Sequence, residues 1–330
     1  MKPKDIILAN IRHDHPPRPG LDFDRGRQSD MCFASFEPHA YVQKRWTEGN
    51  VEYYDDEWGN LWHRFRSASV KGEIVQPVLK DWSDLQKLRI PDYSHPDCST
   101  AMCELFSQSP DLFKIANLGG WIFDNARYLR NMDVYFMDMG LYPDQLNILH
   151  EKIANVYEQK IHLAANAGAD AIFIAEDLGT QTSLLFSPKM FRSYFKEMYT
   201  RLFSLAHQNG MQVIMHSCGM NRAILPDLLE AGVNVFQFDQ PMLYDMPELA
   251  NLLAQHHAAL FSPVDIQQVL PTGDREKIES AARDLVDCFQ GGLICKNYLD
   301  LAGIGVKEEW DDWAYQAICR KIGFQPDNPV

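Results

Sequence analysis

From about residue 100 onward the chain alternates between two patterns. Short apolar runs stand at 112–120 (LFKIANLGG), 169–179 (ADAIFIAEDLG), 211–219 (MQVIMHSCG), 233–241 (VNVFQFDQP), 258–265 (AALFSPVD) and 291–297 (GGLICKN). Each is too short for a helix and is bounded by turn residues, which predicts a buried strand. Between them, helical periodicity covers 143–167, 188–208, 221–231, 246–256, 275–289 and 308–322. Gly168, Gly210 and Gly232 stand where helices should end. Strands and helices in strict alternation imply a parallel sheet.

The first hundred residues are less regular. Pro16-Pro17, Pro19-Gly20 and Gly26 punctuate the entry segment. The aromatic and acidic stretch VEYYDDEWGNLWHRF (51–65) leads into the alternation SVKGEIVQPVL (69–79). Together they predict a hairpin or meander over 51–79 with Gly59-Asn60 as its turn. DWSDLQKLRIPD (81–92) predicts a short helix capped by Asp81 or Ser83 and ended by Pro91.

Two architectures fit repeated β-α units: a closed (β/α)8 TIM barrel or an open doubly wound sheet. No G-x-G-x-x-G follows an early strand, so the dinucleotide-binding form of the open sheet loses its best evidence. Asn117, Glu176-Asp177, His216 and Cys218, Asp239, Asp265, and Cys295 with Asn297 all fall at the C-terminal ends of successive strands. Polar side chains converging from several strand ends mark the active-site face of a barrel. The expectation is one barrel domain over 1–330: an irregular part with a β-hairpin elaboration in 1–100, and regular units in 101–330. Its first one or two strands lie hidden in the irregular third. Glu176, His216, Asp239 and Cys295 should line a single cavity at its mouth.

Composition narrows the partners. Hydrophobic residues make up 46% and charged residues 23%, the profile of a soluble globular chain. A formal charge of −14 argues against nucleic acid or an anionic membrane as partner and suits a small neutral or cationic substrate. The N-terminus lacks the pattern of a signal peptide, and no apolar run approaches the ~20 residues needed to cross a bilayer. Seven cysteines without a disulfide-scaffold spacing imply reduced thiols and a cytoplasmic location. His13-Asp14-His15 has ligand residue types but reads as surface, in a Pro-rich segment.

The sharpest chemistry is in HSCG (216–219). Side chains at i and i+2 of a strand point the same way, so His216 and Cys218 converge. Cys295, at another strand end 77 positions later, supplies a third ligand for a catalytic zinc with an open position. These residues, with AGADAIFIAEDLGTQTSLLFSPKMFRSYF, HSCGMNRAILPDLLEAGVNVFQFDQP and DDEWGNLWHR, resemble the zinc-dependent, corrinoid-linked methyltransferases of the uroporphyrinogen decarboxylase superfamily, including methylcobalamin:coenzyme M methyltransferases. The resemblance implies a TIM barrel and zinc on His216, Cys218 and Cys295. It also implies a methyl group moved between a small methylated substrate, or an acceptor thiol or folate, and the cobalt of a corrinoid (cobalamin) carried by a separate protein. O-demethylation is one direction open to it, and a homodimer is one assembly.

A zinc bearing soft ligands holds a thiolate or eases the departure of an alkoxide, which suits methyl transfer. Glu176 and Asp177 are candidates for orienting substrate or handling protons. Asp239 is a fourth ligand or the partner that fixes the His216 tautomer, and Asn297 a substrate-orienting group. Two alternatives stand beside this reading. One is metal-free decarboxylation of a polycarboxylate, for which FDRGRQSD (23–30) supplies Arg25 and Arg27 without the surrounding motif. The other is a non-catalytic barrel that binds a corrinoid protein or a small ligand.

Overall fold

In a computed structural model, which describes residues 1–66 and 72–325, the apolar runs are strands and the periodic stretches are helices. A helix, Pro3–Arg12, is followed by β1 (Gly20–Asp22) and β2 (Met31–Ser35). An antiparallel excursion comes next: β3 (Arg45–Glu48), β4 (Val51–Asp55), β5 (Leu61–Phe65) and β6 (Glu73–Gln76). The predicted strands then appear as β7 (Phe113–Gly119), β8 (Ala171–Ala175), β9 (Gln212–His216), β10 (Val235–Gln237), β11 (Ala259–Ser262) and β12 (Leu293–Lys296).

Eight strands form one parallel sheet in the order β1-β12-β11-β10-β9-β8-β7-β2. It curls into a nearly closed (β/α)8 barrel, with β1 and β2 at the seam. There the Asp30 N–H donates to Leu21 O at 2.7 Å, and the Asp30 carboxylate accepts from Leu21 N and both Arg18 terminal nitrogens. The first two strands therefore do lie in the irregular third, short and flanked by proline.

Side-chain alternation sorts the strand residues into two cores. Met31, Phe113, Ile115, Ala171, Ile214, Val235, Ala259, Phe261 and Ile294 pack inside the barrel with Ile7 and Ile11 of the first helix. Their neighbours, among them Ile172, Ile174, Met215, Leu293 and Cys295, face the outer helices. Lys4 at the start of that first helix reaches the carboxylate of Asp170, just before β8. The helix thus stoppers the N-terminal end of the barrel, and only the C-terminal end is left for a site.

Local departures have local causes. The 188–208 helix is two, Pro188–Tyr194 and Lys196–Gln208, because Phe195 leaves helical geometry at φ −125°. The 221–231 segment begins as a 3-10 turn, Arg222–Ile224, before the helix Leu225–Ala231, whose first turn accommodates Pro226. The 81–92 helix is a 3-10 turn, Trp82–Lys87, with Asp81 accepting from Ser83 N. The meander forms around the 56–60 turn, and residues 67–71 of it lie outside those described. Helices at Pro3–Arg12, Thr100–Gln108, Ile122–Arg130 and Met132–Leu141 were not foreseen. His13 is not simply surface, since its Nε2 bonds Ala258 O at 2.8 Å. All seven cysteines are free. Among the described residues no helix is long and apolar enough to cross a membrane.

Candidate active site at the barrel mouth

The parity that puts Ala171, Ile214, Val235 and Ile294 inside the barrel carries upward to Asp177, His216 and Cys218, Gln237 and Asp239, and Lys296. Two of the loops that bear them are locked together by glycine. A Cβ on Gly219 (φ +81°) would lie 2.4 Å from the backbone of Gly179, and one on Gly179 would lie 2.8 Å from Met220 N. Backbone-to-backbone contact brings the loop after β8 against the loop after β9. Cys218 N–H then donates to Asp177 Oδ1 at 3.0 Å.

Asp177, His216 and Cys218 offer one oxygen, one nitrogen and one sulfur, all within 4.8 Å of one another. His216 Nε2 is 3.4 Å from Asp177 Oδ1 and 3.4 Å from Cys218 Sγ. The other ring nitrogen, Nδ1, meets Gln237 Oε1 at 2.5 Å. Gln237 cannot be turned the other way, because its amide nitrogen donates to Asp239 Oδ1 at 2.7 Å. Asp239 in turn accepts from Lys296 Nζ at 3.2 Å. With Gln237 oriented by Asp239, His216 donates from Nδ1, and Nε2 is the nitrogen that faces Asp177 and Cys218, where loss of its proton frees a lone pair for a metal.

The charges are mutually supportive. Burial alone would raise Asp239, but Lys296 and His216 hold it below the usual carboxylate range. Burial likewise opposes ionisation of Asp177, yet His216 and the Cys218 amide hold it far below that range. Burial would lower His216, whereas Asp177 and Cys218 raise it well above an ordinary histidine. Asp22, on the lumen side of β1, is pushed up by burial and eased by Ser29 and Lys296. Phe33 of β2 and Phe173 of β8 meet edge to face at 5.9 Å across the intervening β7, and Lys296 sits over the Phe261 ring at 5.6 Å.

Several expected residues are elsewhere. Cys295 is fully buried in the outer core near Cys319, and burial pushes its thiol up. Its neighbour Lys296 takes the lumen position, so Cys295 does not join His216 and Cys218. Glu176 also faces outward: Oε1 accepts from the backbone N–H groups of Phe123 and Asp124, capping the helix Ile122–Arg130. Burial raises that carboxyl well above its ordinary value. Asn297 accepts from Asp24 N at 3.0 Å and ties the end of β12 to the end of β1. Asp265 accepts from Met242, Gln267 and Gln268 N–H groups, a loop-closing role. Of the four residues expected in one cavity, His216 and Asp239 meet there, and Glu176 and Cys295 do not.

Lys296, Gln237 and Asp22 were missed. Lys296 had a signal, as the single charge in an otherwise apolar strand.

The Asp177–His216–Cys218 group fits a zinc ion on its own evidence. It has three donors of zinc-binding type, an orienting acceptor behind the histidine, and one partly open side at Asp177.

Residues 65–297 match the family profile described as Uroporphyrinogen decarboxylase (URO-D). A methylated-thiol–coenzyme M methyltransferase of Methanosarcina mazei is 25% identical over 125 residues, which cover 38% of this chain and 31% of that protein. The match thus spans under a third of that relative's length. The solved structure of a methyltransferase from Methanosarcina mazei superposes with a TM-score of 0.63 at 16% identity, over 80% of this chain and 76% of that one.

Proposed function

The chain belongs to the uroporphyrinogen decarboxylase family, and from that premise we propose that it is a zinc-dependent methyltransferase working with a separate corrinoid protein. It would move a methyl group between a small methylated substrate, or an acceptor thiol or folate, and the corrinoid cobalt. One observation carries the reading: the convergence of Asp177, His216 and Cys218 at the barrel mouth, with the His216 tautomer set by Gln237.

In this reading Asp177 takes the ligand place expected of Cys295. The bound metal would act as a Lewis acid that keeps an acceptor thiol ionised or stabilises a departing oxygen. The chain's own residues do the rest. Gln237 and Asp239 hold the imidazole in register, and Lys296 balances Asp239. Phe33, Phe173 and Phe261 give the mouth an apolar wall against which a methyl group can pack.

Decarboxylation of a polycarboxylate fits the same barrel poorly. Arg27 is buried and paired with Asp311 at 2.8 Å, and Arg25 is paired with Asp311 and Asp312. Neither is left to hold substrate carboxylates. The lumen itself presents Asp22, Asp177 and Asp239 against Lys296. An anionic substrate would meet repulsion there.

Metal analysis of the purified protein should find close to one zinc per chain, lost in Cys218→Ala and in Asp177→Ala. The zinc-loaded protein should then change the cobalt absorption spectrum of cobalamin when the right methyl donor or acceptor is added. Zinc-free protein that performs the transfer equally well would end the proposal.

A further inference from the structure

Beside the mouth lies a cavity of about 400 Å³, between the antiparallel sheet and the barrel, which the methyl-transfer reading does not use. It borders the barrel rim at Ser35 and Asn117, paired residues at the ends of β2 and β7. Its walls are aromatic and acidic: Tyr41, Trp62 and Tyr128 stand partly open to it, and Asp56 and Glu57 contribute carboxylates.

The rings are fixed in place before any ligand arrives. Trp62 Nε1 donates to Asp56 Oδ2 at 2.7 Å, and Tyr41 OH donates to Asp55 Oδ1 at 2.8 Å. Trp62 and Tyr128 meet at 4.9 Å with 68° between their planes, forming a corner of two ring systems. The protein already uses these rings to hold cations, since Lys160 Nζ lies 4.3 Å from the Tyr93 ring centre and the Arg127 guanidinium, itself paired with Asp124, lies 4.6 Å from that of Tyr128.

The charges point the same way. Lys160 is committed to Glu57 at 3.4 Å. Asp56 accepts from Trp58 N, Asn60 N, Asn60 Nδ2 and Trp62 Nε1, all neutral donors. Four donors require an ionised acceptor, and among the described residues no cation pairs with it. The cavity therefore holds a half-buried carboxylate that pairs with no cation among the described residues, bordered by electron-rich rings. Such a combination attracts alkylated ammonium ions.

We propose that this cavity binds a small organic cation of the quaternary or alkylated ammonium class. Such an ion is one kind of methylated substrate open to the proposed reaction, but its binding here depends on neither metal nor transfer.

Choline and its neutral isostere 3,3-dimethyl-1-butanol separate cation recognition from simple apolar filling. Calorimetric titration of the full chain should show saturable choline binding and at least about tenfold weaker binding of the alcohol, as loss of the cation–ring attraction predicts. Tyr128→Ala should weaken choline binding by about tenfold and leave the zinc content unchanged. Asp56→Asn, checked for folding by circular dichroism, should weaken choline more than the alcohol. Equal binding of the two probes, or no saturable choline binding by the folded wild-type chain, overturns the proposal. Zinc-free protein that binds choline normally would support it even if the methyl-transfer reading failed.

Discussion

The most discriminating perturbation is Gln237→Leu, because it leaves all three proposed metal donors in place. In the wild-type protein Gln237 accepts from His216 Nδ1 at 2.5 Å and donates to Asp239 at 2.7 Å. Leucine has nearly the same volume and does neither. The imidazole then keeps a buried N–H without an acceptor, at a cost of about 1–3 kcal/mol. It can escape that cost by releasing the Nδ1 proton and keeping the one on Nε2 against Asp177, which leaves no Nε2 lone pair for a metal. Either outcome weakens the proposed metal site. The expected loss is about 10–100-fold in zinc affinity, the usual effect of removing a histidine's outer partner, or roughly 1.4–2.8 kcal/mol. Competition against a chromophoric chelator measures it directly, without any enzyme assay. Unchanged affinity in Gln237→Leu, alongside loss in Cys218→Ala, would show that Gln237 does not set the tautomer. Absence of zinc binding in the wild type would instead reject the metal site itself.

Three further outcomes test other parts of the structure. Cys295→Ala should keep its zinc and lose only about 1 kcal/mol of stability by denaturant titration, the cost of a small vacancy in a packed core; loss of zinc would restore Cys295 as a ligand. Gly219→Ala should cost about 2–4 kcal/mol, from the positive φ and the collision with Gly179. The same change should lower zinc occupancy by parting the two loops, and a neutral result in both would remove the glycine contact as their lock. His150 is fully buried against Tyr135, and burial lowers its pKa to about 3. The unfolded chain takes up that proton near pH 6.5 and the folded chain does not, so stability falls as the pH drops from about 6.5 toward 3. At pH 5 the loss is about 2 kcal/mol. Urea midpoints of His150→Met should lack this share of the acid slope; an unchanged slope would refute the assignment.

Why the sequence led to the barrel but misplaced part of its site follows from the strands themselves. Runs such as AIFIA and LICK are buried on both faces, so they carry no apolar-polar alternation to say which face is the lumen. Their boundaries were legible, and so was the end of each strand where function belongs. The choice between adjacent residues was not. At 176–177 and 295–296 a one-residue ambiguity moves a side chain from the mouth to the helix layer. In β9 the problem did not arise, since His216 and Cys218 share a parity and stand or fall together. The same rule repairs the other strands. Ile214 lies in the inner core, and counting by twos gives His216 and Cys218. Ala171 and Phe173 give Asp177, and Ile294 gives Lys296. A lysine interrupting LICK is costly to bury unless paired, so its presence implied a carboxylate across the lumen. Asp239 is that carboxylate, and Gln237 between it and His216 turns a charge pair into a device that orients an imidazole.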